Sequence, residues 1–266
     1  MTPVHEVFAI KYAEHDRNAS ANFIGGDAHD GPMPMDYFVW LIRGPSGVWA
    51  IDTGFNQEAA TARGRRLLRN PASALSLIGE SAADIRNVIV THLHYDHAGN
   101  CELFPAATFH LQDREMQFAT GRYMAHQCMH AAYNVFDILR MVGSVYEGRV
   151  RFHDGEVTLA PGISVHLIGG HTMGLQAVRV HTRRGWVVLA SDASHYYRNI
   201  EEDKPFPIVY NVGDMVEGWQ RIQGLAESPA HVVPGHDPQV LLRYPSPSSE
   251  LAGIVAALHE DQKEVR

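Results

Sequence analysis

The sequence predicts an α/β protein in which two β-sheets pack face to face with helices on the outside. Strand-rich halves are interleaved with helical segments, and such a mixture buries its apolar faces as stacked layers. Hydrophobic residues fill 45% of the 266 positions with no linker, repeat or composition shift, so a single domain over 1–266 is expected. Several apolar strands also end in a metal-type residue at a turn, as when a rigid scaffold presents chemistry at one end.

Residues 4–12 alternate apolar and polar and read as a strand. Residues 14–35 form a long polar loop rich in Gly, Pro and His, a kind that is often functional. A buried strand at 37–43, a turn at Gly44-Pro45-Ser46-Gly47 and a strand at 48–52 make a hairpin. Residues 57–69 read as a helix, with Arg63, Arg65, Arg66 and Arg69 on a basic, solvated face. Short apolar strands follow at 85–91 and 107–111. Residues 114–142 read as one long helical stretch broken near Gly121, a helical insertion at about 113–145. Strands return at 149–152, 157–159, 163–168, 177–181 and 187–190. A helix at 215–226, a strand at 231–233 and a last helix at 249–259 close the chain.

The composition removes several classes of function. The net charge is −8 and no Lys/Arg run exceeds a pair, whereas nucleic-acid binding needs concentrated positive charge. No apolar run is long enough to span a bilayer, and no signal-peptide pattern opens the chain. Two cysteines, Cys101 and Cys128, make no disulfide framework and suit a reducing compartment. The expectation is a cytoplasmic protein acting on a small molecule, without a nucleic-acid or membrane partner, as a monomer or homodimer.

The run from Thr91 to Asn100 carries the most chemistry. It places His92, His94, Asp96 and His97 within six consecutive positions after an apolar strand. Imidazole suits zinc, and carboxylate suits hard or borderline divalent ions. Four such groups on one turn cannot all reach one ion. Alternation puts His92 and His94 on one side, and Asp96 and His97 face elsewhere, so the spacing suggests two metals side by side. Three further strand ends offer ligands: His171 after Gly169-Gly170, Asp192 after Ser191, and His236 after Pro234-Gly235. Together they complete the ligand count for two ions. The identity of the metal stays open among Zn, Mn, Fe and Co, with zinc expected first.

These motifs resemble the metallo-β-lactamase superfamily, from Ile51-Asp52-Thr53-Gly54 through the His cluster to His171, Asp192 and His236. Within it the chain looks most like the N-acyl homoserine lactonase branch, on Ser191-Asp192-Ala193-Ser194, Pro205-Phe206 and Pro234-Gly235-His236-Asp237. The resemblance implies an αββα sandwich of two mixed sheets and a dinuclear site. It assigns His92, His94 and His171 to one metal and Asp96, His97 and His236 to the other, with Asp192 bridging. It implies Asp52 as a carboxylate behind the ligands, orienting their imidazoles. Two features depart from that branch. His195 stands where the branch has a tyrosine that contacts the substrate carbonyl, with Tyr196 and Tyr197 next, and the stretch between His97 and His171 looks longer. Both fall where substrate is held, so a small lactone is expected to react and long-chain acyl homoserine lactones to be poor substrates.

Two metals can activate a hydroxide and stabilise a leaving oxygen, which lactone opening requires. A bridging hydroxide would attack the carbonyl, Asp96 would carry the proton to the leaving alkoxide, and Tyr196 or His195 would donate to the oxyanion. Competing readings are another hydrolase of the fold (ester, thioester, lactam or phosphoester), an iron redox enzyme and a non-catalytic binding module.

Overall fold

The computed structural model describes residues 2–263. Its strands are β1 (Glu6–His15), β2 (Met35–Gly44), β3 (Gly47–Ile51), β4 (Arg66–Leu67), β5 (Asn87–Ile89), β6 (Thr108–Gln112), β7 (Val150–His153), β8 (Glu156–Ala160), β9 (Ile163–Leu167), β10 (Gln176–Thr182), β11 (Gly185–Ser191), β12 (Val232–Pro234) and β13 (Val255–Ala257). One sheet runs β13-β1-β2-β3-β5-β6-β7, with β4 paired to β1; the other runs β12-β11-β10-β9-β8. Both are mixed: β3, β5, β6 and β7 are parallel neighbours, as are β11 and β12, and the other pairs are antiparallel.

Strand periodicity builds the layers. On β2, Phe38, Trp40 and Ile42 point between the sheets, where they meet Ile163, Val165, Val178, Val180 and Leu189. Their neighbours Tyr37, Val39 and Leu41 point the other way, into a core shared with Phe55, Leu75, Phe118 and Met141 from the helical layer. A strand covered on both faces reads as a continuous apolar run, which is why 37–42 shows no alternation. The second sheet packs its outer face, through Ile168, Ala177, Val188 and Ala190, on Ile222 of the helix Val212–Leu225. Helix, sheet, sheet and helix therefore stack in that order, as the sequence predicts.

Three expectations need correction. The final helix at 249–259 is instead a short turn of helix, Ser249–Leu251, followed by β13. Gly253 has φ 75°, which ends the turn, and β1 offers an open edge that Val255, Ala256 and Ala257 pair with. Alternation then buries Val255 and Ala257 in one core and Ala256 in the other, so tertiary pairing overrides the helical propensity of the alanines. The helical stretch at 114–142 is four short pieces: Asp113–Ala119, Arg122–Ala125, Gln127–His130 and Val135–Tyr146. The helix from Gln57 stops at Arg63, where Gly64 adopts φ 63°, and Arg66 already lies in β4. The four arginines thus share no helix face. Among the described residues, no helix is long and apolar enough to cross a membrane.

Candidate metal centre and its surroundings

Parallel pairing brings the ligand-bearing strand ends together. Ile51 pairs with Ile89, so Asp52 and Thr91 emerge side by side, and Ser191 pairs with Pro234, so Asp192 and His236 do the same. Gln176 ties the two sheets: its backbone N–H donates to Thr91 O at 3.0 Å and its side chain donates to Val90 O at 2.8 Å. Asp52 and Ser191, which end their strands, hold φ of 62° and 47°. Such left-handed non-glycine residues cost about 1–3 kcal/mol each and cluster at functional sites.

The structure brings the seven expected ligands into one buried cluster, with Asp192 at its centre. Asp192 Oδ2 faces His171 Nε2 at 3.2 Å and His92 Nε2 at 3.8 Å, and His94 Nδ1 lies 3.0 Å from His92 Nε2 and 2.9 Å from His171 Nε2. Asp192 Oδ1 faces His236 Nε2 at 2.9 Å and His97 Nε2 at 3.3 Å, with Asp96 Oδ2 at 3.6 Å from His97 and 3.8 Å from His236. Ligands about 2.0–2.1 Å from an ion lie roughly 3.3 Å apart along a tetrahedron's edge, so these separations suit divalent ions. His97 Nε2 is buried without a hydrogen-bond partner, an orphaned polar atom of the kind that a bound ion would satisfy.

The outer nitrogens fix how the rings point. His97 Nδ1–H donates to Asp52 Oδ2 at 2.7 Å, His171 Nδ1–H to Ile208 O at 2.7 Å, and His236 Nδ1–H to Asp36 O at 2.9 Å. Each of these bonds turns Nε2 toward the cluster, where it could ligate an ion. Asp52 in turn accepts the Thr91 N–H at 2.7 Å and the Thr91 hydroxyl at 2.9 Å. Burial, then the neighbouring imidazoles, hold His92 and His94 well below the ordinary histidine range, so both rings are neutral. Burial alone would raise Asp192, but the surrounding imidazoles, His236 foremost, pull its carboxyl well below the usual range. Gly235 is required by closeness: a Cβ there would lie 2.8 Å from the Ser191 backbone and 2.9 Å from Asp192 Oδ1.

Glu115, which the motif reading missed, holds two ligand loops at once. Its Oε1 accepts from Leu93 N at 2.9 Å and Tyr133 Oη at 3.1 Å, and its Oε2 from Thr172 Oγ1 at 2.6 Å and Gly174 N at 3.1 Å. Leu93 sits between His92 and His94, and Thr172 follows His171. Burial pushes the Glu115 carboxyl up while these four donors pull it back. A Cβ on Gly174 would fall 2.0 Å from Glu115 N, so that loop and the helix Asp113–Ala119 are in direct contact. A signal existed: Glu115 shares a helix face with Phe118 and Ala119, at i, i+3 and i+4, and all three are buried.

A cavity of about 350 Å³ opens onto the cluster. His94, Asp96, His171, Asp192 and His236 reach it from the ligand set. His195 lines it too, stacked on Phe206 with ring centroids 3.6 Å apart, its Nε2 3.1 Å from Asp192 Oδ2. Burial first holds His195 down to about 3 despite Asp192, so the ring is neutral. Tyr196 is a correction. Its side chain is fully buried in the core beside Phe206, its hydroxyl has no partner, and it does not line this cavity, because it caps the short helix Tyr197–Glu201 and faces inward. That position gives it no route to an oxyanion. Tyr196→Phe is expected to leave turnover within about twofold, and a loss of tenfold or more, in the range of a missing oxyanion donor, would reinstate the tyrosine.

Three other tyrosines, Tyr37, Tyr95 and Tyr210, line the cavity. Tyr95 Oη donates to Tyr37 Oη at 3.2 Å, and the Tyr37 ring lies 5.1 Å from that of His236. Arg65 Nε donates to Tyr95 Oη at 3.2 Å.

A four-layer α/β sandwich with buried histidines and carboxylates gathered at its strand ends is suited to hold divalent metal. A family model for the metallo-beta-lactamase superfamily matches residues 33–250, and the chain belongs to that superfamily as a metal-dependent hydrolase. Among relatives, N-acyl homoserine lactonase AttM of Azorhizobium caulinodans is 28% identical over 235 residues, covering 80% of this chain and 85% of its own. The probable metallo-hydrolase Rv2300c of Mycobacterium tuberculosis is 25% identical over 227 residues, covering 77% and 72%. In fold the chain resembles an N-acyl homoserine lactone hydrolase with its product N-hexanoyl-L-homoserine bound at the catalytic metal centre, with TM-score 0.72, 21% identity and coverage of 89% and 94%. AidC, a dizinc quorum-quenching lactonase in complex with a product, follows at TM-score 0.70, 15% identity and coverage of 89% and 88%.

Proposed function

We propose that this chain is a dinuclear-metal hydrolase that opens a lactone ring, with zinc as the first candidate metal. The observation that carries the reading is the division of Asp192: one carboxylate oxygen faces the His92, His94 and His171 set, and the other faces the Asp96, His97 and His236 set. When bound, two such ions supply an activated water nucleophile and stabilise charge on the leaving oxygen.

This chain's residues then have separate tasks. Asp192 spans both sets. Asp52 and the Ile208 and Asp36 carbonyls hold ligand rings in place, and Glu115 holds the loops that carry them, which keeps the reorganisation cost low when charge develops. Asp96 lines the cavity and leaves Oδ1 able to pass a proton to the departing alkoxide. His195, neutral and packed on Phe206, holds Asp192 in orientation and walls the cavity. The lactonase relatives favour a cyclic ester over the fold's other substrates. The test is a pH-stat comparison of the zinc- or manganese-loaded protein on lactones, acyclic esters, thioesters and a β-lactam. The reading expects small lactones to be turned over fastest; preference for any other class by tenfold or more would replace it.

A further inference from the structure

The cavity contains more positive charge than ring opening of a neutral lactone requires. Arg17, Arg63 and Arg65 all line it, and all three are half-buried. Elsewhere, Arg43, Arg66 and Arg198 pair with carboxylates. Among the described residues none of the cavity arginines does. Their hydrogen bonds go to neutral acceptors: Arg63 to Ala131 O and Tyr133 O, Arg65 to Tyr95 Oη and Arg63 O, Arg17 to Asn22 Oδ1 and Ala21 O. Such acceptors fix the guanidinium planes without cancelling their charge. The only carboxylates on the cavity wall, Asp96 and Asp192, belong to the metal-ligand groups.

The arginines flank the reaction centre. Arg65 reaches His236 through Tyr95 and Tyr37, and the Arg17 guanidinium lies 5.3 Å from the Phe206 ring that stacks on His195. Arg65 also touches His15, whose Nε2 is 3.0 Å from Arg65 Nη1. Burial, then Arg65 and Arg17, hold that imidazole down to about 4, so it neither adds to nor offsets their charge at neutral pH. Withdrawing like charges from water without a counter-ion is costly, and this chain carries a net charge of −8 overall. With Nε and Nη1 engaged by Tyr95, His15 and Arg63 O, Arg65 keeps Nη2 to donate to a carboxylate oxygen, a charge-assisted bond.

We infer that the substrate is an anionic lactone or ester, bearing a carboxylate in addition to the carbonyl that is attacked, and that Arg65 and Arg17 select it. This rests on the hydrolase reading and narrows its substrate class. Neutral lactones are then the poorer members of any series.

Two ring-opened acids differ by a single carboxylate: 4-hydroxybutyrate and 2-hydroxyglutarate, from γ-butyrolactone and its 5-carboxylate counterpart. Calorimetric titration of the metal-loaded protein should give a Kd for 2-hydroxyglutarate at least about tenfold lower. The advantage should shrink to within about threefold in Arg65→Met, fall in Arg17→Met, and persist in part in Arg65→Lys, where the charge remains. Equal binding of the two acids would overturn the inference. So would an advantage that survives in both Met variants, because it would then come from chelation of the metal by the extra hydroxyacid group. Turnover of the parent lactones is read separately. If 2-hydroxyglutarate binds tighter through the arginines but neither lactone is opened, the lactonase reading fails and the anion site stands.

Discussion

Asp192→Ala is expected to abolish lactone turnover and release bound metal while leaving the fold intact. It is the one side chain whose two oxygens face separate ligand sets, so its loss removes a ligand from both at once. The loss should exceed the roughly 10- to 100-fold that follows when only an outer partner of a ligand is removed. Circular dichroism should match the parent, because residue 192 lies in a turn after β11 and its backbone ladder is untouched. Steady-state rates and metal content decide the matter together. Near-parental turnover with full metal occupancy would mean that Asp192 bridges nothing.

Glu115→Ala should have the largest effect on stability. It leaves Leu93 N–H, Gly174 N–H and the Tyr133 and Thr172 hydroxyls without their acceptor in a fully buried site. Unmet buried donors cost about 1–3 kcal/mol each, and partial relaxation brings the total to roughly 3–5 kcal/mol. Tyr133→Phe removes one of the four donors and should cost only about 1 kcal/mol. Because Glu115 ties the His92–His94 run to the His171 loop, Glu115→Gln should also weaken metal binding by about 10- to 100-fold. Denaturant titration and a competition assay with a chelator measure the two effects. A Glu115 variant as stable as the parent, with unchanged metal affinity, would reduce this carboxylate to packing.

Much of this was legible in the sequence, for physical reasons. The ligands come from local motifs at strand ends, and a strand end in an apolar run is visible without knowing what it pairs with. The sandwich was visible because strand-rich halves interleaved with helical segments bury their apolar faces as stacked layers. What escaped depends on contacts far apart in sequence. β13 exists because β1 has an open edge, some 250 positions earlier, and nothing local in the segment around Val255 announces it. Glu115 acts across 22 residues to Leu93 and 57 to Thr172. Arg63 and Arg65 looked like one solvated helix face because the helical pattern continues past Gly64, yet the helix ends at Arg63, the chain turns at Gly64, and both side chains line the cavity. His195 and Tyr196 sit at the bend before the helix Tyr197–Glu201, and their side chains diverge, His195 lining the cavity and Tyr196 buried in the core.

The most direct test of the account is metal stoichiometry. The protein is stripped with chelator, reloaded with zinc or manganese and desalted, then analysed by elemental mass spectrometry against protein concentration. Two ions per chain, falling to one or none in Asp192→Ala, is the predicted result; a single ion per chain in the parent protein, unchanged by that substitution, would contradict the dinuclear centre and the reaction built on it.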